Sequence, residues 1–411
     1  MRTVWSLFVR SLVVAACVFL TFRSTHIALA DLRAQQDGLD GLDAAIRMEP
    51  GDSVLLAREA LAKNANGDMS AEEDRELLHA AALNPYDASV QIALGLREEF
   101  RGHLAEAERY LLHAEDIDHT FKPAWTLANF YVRQDQADKM WPVVKRGLAL
   151  NPLVFDPKPV FDLCWNQSDD SKKILDLVPT RGGVPVLYLA YLISTKRADV
   201  ALQAWPRARD AENKSDPIYA EAAMRLPEFL EVENRVTDAV NIWNQLVDRG
   251  IVASGRLDPG SMYIADPDFG FPLLERGFGW RITHETGVAV AKAAMSLRFE
   301  FDGNEPESLA LMSAYVPLAP GQSYRLTWKT DAAELASRRD PGFAWQIVQQ
   351  PGNVIIACPP LLRDGDEGVC NFKSVPNAGQ SQLDLIYRRA TGTTRAEGML
   401  RIANVTLGLG S

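Results

Sequence analysis

The sequence predicts a multidomain protein with an N-terminal apolar helix, then an α-solenoid, and then an antiparallel β-sandwich. Three observations support this fold class: an apolar run near the N-terminus, turn signals that recur about every 34 residues, and a change near residue 251 from helical to alternating hydrophobic spacing. The predicted boundaries are 1–30 for the apolar segment, 31–152 for regular helical repeats, 153–250 for degenerate helical hairpins and 256–411 for the sandwich.

The composition is that of an ordinary folded protein. The chain has 411 residues, of which 47% are hydrophobic and 24% charged, and its formal net charge is −11 at pH 7. Because a surface that binds a phosphate backbone needs a basic excess, this acidic balance argues against a nucleic-acid partner. Sugars and other proteins are both compatible with it.

The N-terminal segment carries three arginines and no acidic residue, and residues 11–22 are an unbroken run of apolar and small side chains. This length is typical of a signal-peptide core, and Ala28-Leu29-Ala30 supplies a small-x-small cleavage site. Counted over residues 4–22, the same segment is long enough for a signal anchor, with Arg10 reaching the cytoplasmic side. Export is therefore predicted. Two alternatives stay open: residues 1–30 are retained as a single-pass signal anchor, or the chain is cleaved near Ala30.

Four turn signals divide the next region into units. Counted from Pro50 to Pro85, then to His119 and then to Pro152, the steps are 35, 34 and 33 residues. A small residue stands five positions before each signal: Ala45, Ala80, Ala114 and Gly147. A period of this length with helical content between the signals indicates stacked helix-turn-helix repeats.

The clearest unit contains Leu94-Gly95, then Ala107 and Leu111, and reaches His119 at its closing position. These residues resemble the tetratricopeptide repeat, whose pattern has a leucine-glycine pair, an alanine, a large apolar residue and a closing proline. The resemblance implies two tightly packed helices per unit, with Gly95 and Ala107 at their closest approach. It also implies a superhelical stack whose concave face is lined by the first helix of each unit.

By this resemblance, the groove-facing residues of the third unit are Lys122, Trp125, Asn129 and Arg133. Their i, i+3, i+4 spacing places them on one helical stripe, which could hold a protein partner or simply face solvent. Repeats of this kind bind proteins more often than they catalyse reactions, so a protein partner is expected.

Residues 153–250 return to helical spacing after a proline-rich interruption. Ala201-x3-Trp205 and Ala239-x3-Trp243 stand 38 residues apart and repeat the alanine and large apolar residue of a second repeat helix. We interpret this region as degenerate units that continue the solenoid, with both tryptophans packed between helices.

Beyond residue 251, short runs alternate apolar with polar residues between Gly- and Pro-rich turns. The runs are 297–301, 324–328, 343–347, 383–387, 400–402 and 405–407. Period-two alternation is typical of antiparallel strands with one buried face. About 155 residues of this pattern predict a β-sandwich.

The order of elements in the sandwich region resembles that of jelly-roll carbohydrate-binding modules. The matching segments are Asp266-Pro267-Asp268-Phe269, Phe278-Gly279-Trp280, residues 316–326 and residues 398–407. The closing segment departs from the family because Ala403-Asn404 replaces an acidic pair that often occurs there. No metal site is therefore expected.

The resemblance implies a glycan site built from aromatic faces and polar partners. The candidates are Trp280, Arg325, Trp345 and Gln346. Trp345 shares its strand phase with Ile347, so a place in the core is the alternative for this ring. Trp280 lies near a loop and is the first ring to test.

Cys358 and Cys370 are twelve residues apart across a Gly-, Pro- and Asp-rich loop. In an oxidising compartment they could form one disulfide, and the alternative is two unrelated buried thiols. Cys17 and Cys164 have no evident partner.

The combination of apolar segment, repeats and sandwich resembles tetratricopeptide proteins associated with export of bacterial surface polysaccharide, such as exopolysaccharide or O-antigen. The resemblance implies a periplasm-facing scaffold, either held in the inner membrane through residues 1–30 or released into the periplasm by cleavage near Ala30. It also implies that the repeats bind a protein of the assembly or export system and that the sandwich binds glycan or a partner subunit. The sequence contains no phosphate-binding glycine loop, nucleophile elbow or metal-binding His-Glu motif, and no cofactor is expected. We therefore predict a non-catalytic adaptor. A glycan-active enzyme carried on a repeat platform is the alternative.

Overall fold

The structure is a computed structural model that describes residues 2–36, 38–65, 71–150, 156–210, 217–332, 335, 342–361 and 367–410. These residues form fourteen helices followed by ten strands in two antiparallel sheets, which confirms the predicted fold class. They divide into two compact units, Met1–Pro179 and Thr180–Ser411. The turn signal predicted at Asn151-Pro152 lies outside the described residues.

The first unit is entirely helical where it is described. Its helices are α1 (Arg2–Gln36), α2 (Gly38–Met48), α3 (Ser53–Ala65), α4 (Ala71–Leu83), α5 (Ala88–Phe100), α6 (Leu104–Ile117), α7 (Phe121–Arg133), α8 (Ala137–Ala149), α9 (Lys158–Gln167) and α10 (Ser171–Leu175). Consecutive helices pair as hairpins: α1 with α2, α3 with α4, α5 with α6, and α7 with α8.

The hairpin of α5 and α6 shows why the repeat pattern folds this way. Asp87 caps α5 by accepting hydrogen bonds from the backbone N–H groups of Ser89 (3.0 Å) and Val90 (3.2 Å). Gly102 lies at φ +80° and makes the turn that reverses the chain. Ala107 is fully buried on α6, so the two helices approach as closely as the repeat pattern predicts.

Helix α1 is one continuous helix that contains both the apolar run and the predicted cleavage motif. A candidate membrane span, Leu12–Gln35, has a mean hydropathy of 1.8, and its most apolar window is not buried in the protein. Ala30 and Ala34, near the end of α1, are buried in a small apolar core that α2 and α3 complete. The apolar part of α1 is therefore exposed, whereas the end of the same helix packs against α2 and α3.

The second unit combines helices and strands. Its helices are α11 (Val184–Ser194), α12 (Ala198–Asp210), α13 (Pro217–Val232) and α14 (Val236–Asp248). Its strands are β1 (Arg281–Ile282), β2 (Val288–Ala293), β3 (Ser296–Asp302), β4 (Ser308–Tyr315), β5 (Ser323–Asp331), β6 (Phe343–Gln349), β7 (Val354–Pro360), β8 (Glu367–Lys373), β9 (Ser381–Arg388) and β10 (Glu397–Leu409).

The strands form a sandwich of two five-stranded sheets. The first sheet has the order β1-β4-β9-β6-β7 and the second has the order β2-β3-β10-β5-β8. Buried residues alternate with more exposed residues along β5 and along β6, as the period-two pattern predicts. The two closing runs that were separated in the sequence belong to the single strand β10, whose register shifts between Ala403 and Thr406.

Helices α13 and α14 pack against the sandwich within the second unit. The Trp243 ring of α14 meets the Phe278 ring edge-on, with 5.7 Å between centroids. The backbone N–H of Gly277 donates to Glu228 Oε1 of α13 at 2.8 Å. The side-chain amide of Asn244 pairs with both the N–H and the C=O of Leu257, each at 2.8 Å. These contacts join the last two helices and the strands in one body.

Candidate functional site

The four predicted groove residues all lie on α7, and the structure gives them different roles. Arg133 Nε and Nη2 donate to the two carboxylate oxygens of Glu99 on α5, both at 2.7 Å. Asn129 donates to the carbonyl of Trp125 on its own helix at 2.8 Å. Lys122 is exposed and Trp125 is half-buried. Arg133 and Asn129 are therefore engaged within the protein, while Lys122 and Trp125 are open to a partner.

Two apolar residues on the neighbouring first helix, α5, were not among the residues predicted from the sequence. Leu96 is 38% exposed and Phe100 is 79% exposed. They lie one turn apart on the face that also carries Glu99, so the Glu99–Arg133 pair brings this face beside α7. We call Leu96, Phe100, Lys122 and Trp125 the first-helix stripe. The sequence did carry a signal for them: Leu96 and Phe100 stand three positions before and one position after Glu99, which places them on the same side of the helix as Glu99.

Two of the four predicted glycan residues are in the core of the sandwich. Trp280 is 2% exposed, and its indole N–H donates to the carbonyl of Asp266 at 2.8 Å. Trp345 is fully buried and lies 6.1 Å from Trp280 between ring centroids. The physical reason is strand phase, because Trp345 shares the inward face of β6 with Phe343 and Ile347. Neither indole presents a free face on which a sugar ring could stack, contrary to the expectation for these rings.

The other two candidates point away from the core on different sheets. Arg325 is exposed on β5 of the second sheet. Gln346 lies on the outer side of β6 in the first sheet and donates to Asp384 Oδ2 at 3.0 Å. The structure therefore does not bring the four predicted residues together into one site.

Gln346 belongs instead to a row of polar residues across the outer face of the first sheet. In register, Arg281 of β1 pairs with Ser313 of β4, Ser313 with Asp384 of β9, and Asp384 with Gln346 of β6. We call these four residues the polar row. Asp384 is 5% exposed and also accepts a hydrogen bond from Gln382 at 2.7 Å. The sequence placed only Gln346 and Asp384 in predicted strands, and the alignment of all four residues depends on strand order and register.

One end of the polar row meets helix α13. The Arg281 guanidinium lies 4.4 Å from the centroid of the Tyr315 ring and 3.5 Å from Glu228 Oε1. Glu231, one turn along α13, is 2% exposed, and neither of its carboxylate oxygens has a hydrogen-bond partner among the described residues. Burial raises the pKa of Glu231 well above its usual value, against the opposing influence of Arg281. This position therefore favours a protonated carboxyl group.

A cleft of about 790 Å³ opens between α14 and the loops of the sandwich. Its lining includes Thr237, Asn241 and Asn244 on one stripe of α14 and, opposite them, Leu257, Pro317 and Leu318. The lining also includes the charged residues Arg256 and Asp258, and the Asn244 amide is already paired with the Leu257 backbone.

The structure joins Cys358 to Cys370 by a disulfide, with 5.5 Å between their Cα atoms. The bond links β7 to β8, which are the terminal strands of the first and second sheets. Cys164 is a buried free thiol, and burial raises its pKa to about 12, so it is poorly reactive. Within the described part of the chain, no three His, Cys, Asp or Glu side chains cluster as metal ligands.

Comparison with known proteins gives matches among solved structures but not among family models or curated proteins. A scan against models of protein families finds no match, and a search of curated proteins finds none either. Among solved structures, the chain is similar to the enzymatically active domain of tailspike protein 4 of bacteriophage CBA120, with 13% identity and a TM-score of 0.26 over 37% of this chain and 21% of that one.

Two further similar structures are helical repeat proteins. One is YrrB, described as a TPR protein with an unusual peptide-binding site, with 15% identity and a TM-score of 0.24 over 50% of this chain and 91% of that one. The other is pilF of Pseudomonas aeruginosa, with 15% identity and a TM-score of 0.29 over 55% of this chain and 90% of that one. The chain spans only about a fifth of the tailspike domain. At these TM-scores the likenesses carry no inference about function.

The class of the protein rests on its own geometry. The helical hairpins of the first unit, with their turns near residues 50, 85 and 119, fit a solenoid of the tetratricopeptide type. The C-terminal strands form a two-sheet sandwich.

Proposed function

We propose that the protein is a non-catalytic scaffold of bacterial surface-polysaccharide assembly or export, anchored in the inner membrane with its soluble part in the periplasm. Its solenoid holds a protein partner of that system. The observation that supports this proposal is the first-helix stripe, where large apolar side chains remain uncovered on a solenoid. Exposed apolar patches on an otherwise well-packed protein commonly mark interaction surfaces.

The chemistry of the stripe defines the partner segment that suits it. Phe100 is the most exposed large apolar side chain of the described residues, and Trp125 lies stacked on Phe121 with 5.9 Å between centroids. Lys122 adds an exposed positive charge at the start of α7. A helical or extended segment with apolar anchors and an acidic residue would complement this surface.

The test is partner capture from detergent-solubilised bacterial membranes with the tagged full chain. We expect Phe100→Ala combined with Trp125→Ala to lower capture of polysaccharide polymerase or export components at least tenfold, because aromatic anchors typically contribute about 2 kcal/mol or more each. Tyr86→Ala is the matched control, since Tyr86 is 75% exposed in a turn outside the stripe. Equal capture by the double variant and the wild type would contradict the proposal.

The sandwich is proposed to contact glycan or a second subunit through the polar row. The support is the alignment of a guanidinium, a hydroxyl, a carboxylate and an amide on one sheet face, beside the half-buried Tyr315 ring. These are the groups that hold sugar hydroxyls. The row replaces Trp280 and Trp345 as the expected site, because both rings are buried.

A glycan array with the full chain tests this second contact. Asp384→Ala is expected to abolish any binding, because it removes the acceptor that orients Gln346 and Gln382. Arg325→Ala on the opposite sheet is the control. Loss of binding in the Arg325 variant alone would place the site on the other face and contradict the row.

A further inference from the structure

The predicted cleavage motif lies inside a helix that the fold uses. Ala28-Leu29-Ala30 is followed by six further residues of α1, and Ala30 is 1% exposed. Ala30 and Ala34 pack in one apolar core with Leu42 and Ala45 of α2 and Leu55 of α3. The C-terminal part of α1 is thus the first helix of the first hairpin in the stack.

A polar clasp fixes α1 just upstream of that core. Arg23 donates to both carboxylate oxygens of Glu49, at 2.7 and 3.1 Å, and His26 Nδ1 lies 2.8 Å from Glu49 Oε1. Glu49 follows the end of α2, so the clasp closes the hairpin at the end nearest the apolar run. The hydrogen bonds with His26 and Arg23 lower the pKa of Glu49.

Upstream of the clasp, every described side chain of α1 is exposed. The apolar side chains that are each more than half exposed, and that together cover all sides of the helix at 100° per residue, are Leu12, Val13, Val14, Val18, Phe19, Leu20 and Phe22. Residues 4–22 span about 28 Å at 1.5 Å per residue, close to the thickness of the hydrocarbon core of a bilayer. A surface that is apolar on every side suits lipid better than a protein groove, which covers one side only.

We propose that α1 is not cleaved and serves as a membrane anchor. Its N-terminal half lies in the bilayer, and its C-terminal half packs against the first helices of the solenoid. Cleavage after Ala30 would remove Ala30, Arg23 and His26 and leave only residues 31–36 to cover Leu42 and Leu55. The clasp at Arg23 marks the membrane surface, and the first hairpin lies directly on it. This inference deepens the anchor part of the proposed function and is independent of its protein partner.

The first test is the intact mass of the C-terminally tagged full chain after expression in an exporting bacterium. We expect the mass of the uncleaved chain and retention in membranes washed with alkaline carbonate. Ala28→Leu, which removes one small residue of the motif, should give the same mass shifted only by the substitution. A wild-type chain that begins at Asp31 and leaves the membrane would overturn the proposal.

The second test compares two matched substitutions in detergent-solubilised full chain. Ala30→Leu should lower the Tm of the helical unit by about 5 °C, because the added atoms have no room in the core. Ala28→Leu, at an exposed position of the same helix, should leave the Tm unchanged. Equal Tm values for the two variants would show that the end of α1 is not packed, and so contradict the shared helix. A failure of partner capture would leave both of these results unaffected.

Discussion

Arg133 on the first helix of one repeat binds Glu99 on the first helix of the preceding repeat through two hydrogen bonds of 2.7 Å. The pair connects two consecutive repeats on the face that carries the first-helix stripe. Its geometry is the parallel, two-bond arrangement that suits a guanidinium and a carboxylate. It therefore fixes the register of the surface on which a partner would lie.

The Arg133–Glu99 pair is expected to order this surface more than it stabilises the fold. Arg133 is 46% exposed, and exposed ion pairs typically contribute about 0.2–1 kcal/mol. Arg133→Ala should therefore lower the free energy of unfolding by less than about 1 kcal/mol in urea titration. Arg97→Ala is the contrast, because Arg97 is 2% exposed and binds Asp74 at 2.7 Å, and breaking a buried pair costs about 3 kcal/mol. Similar losses in both variants would be the wrong outcome.

Gly95 and Gly147 form a matched pair for testing repeat packing. A Cβ on Gly95 would lie 2.8 Å from Cγ and Cδ2 of Leu111, whereas a Cβ on Gly147 would lie 3.4 Å from Ala124 Cβ. Gly95→Ala should destabilise the chain by about 1–3 kcal/mol through overpacking. Gly147→Ala should be neutral or stabilising by up to about 1 kcal/mol, since alanine favours a helix over glycine. Thermal unfolding of both variants checks the difference in sign.

The buried carboxyl of Glu231 predicts a pH effect of defined sign. Its pKa is raised by burial well above the usual 4.5, so the folded chain holds a proton that the unfolded chain releases. The contribution of Glu231 to the free energy of unfolding should therefore be greatest below pH 4.5, and it should fall as the pH rises through the folded-state pKa. Glu231→Gln keeps the shape without the titration, and it should be more stable than wild type at pH 8.

Calorimetry across pH 4 to 8 measures this effect, with Glu233→Gln as the exposed control just beyond α13. Charged neighbours of Glu231 are Arg281 and Glu228, so the comparison should be repeated at high salt to separate their influence. An unchanged pH profile in the Glu231 variant would contradict the prediction.

The disulfide should contribute measurable stability to the sandwich. Closing a loop of 12 residues restricts the unfolded chain, and loops of about this size contribute about 3 kcal/mol. Cys358→Ser combined with Cys370→Ser should therefore lower the Tm, and a reducing agent should lower the wild-type Tm by the same amount. Cys17→Ser is the control, because Cys17 is an exposed free thiol. A wild-type Tm that does not respond to reduction would show that the bond is dispensable.

Sequence patterns predicted the architecture because each local signal has a local cause. The period between Pro50, Pro85 and His119 reflects one hairpin per unit, and the alternation in β5 and β6 reflects one buried face. The end of α1 was predictable as helix. Its packing against Leu42 was not, because helical spacing does not reveal which neighbour covers a face.

The sites were harder to predict because they depend on contacts between distant segments. Arg281, Ser313 and Asp384 are far apart in the chain, and only strand order brings them into one row. Trp280 was favoured for its position near a loop, but its indole N–H donates to the carbonyl of Asp266 and its ring lies in the core. Phase within a strand separates inward from outward residues, yet it does not say which outward residues become neighbours.

The link between Cys358 and Cys370 has a consequence for association between molecules. Strands β7 and β8 are the last strands of their sheets, and the outer edge of such a strand can pair with a strand from another chain. Val354 and Ile355 on β7 are exposed and carry no charge that would oppose such pairing. Because the bond joins these two edge strands, it prevents either strand from detaching from its sheet and pairing with a strand of a neighbouring molecule. The oxidised chain should therefore resist aggregation at concentrations at which the reduced chain forms extended sheets.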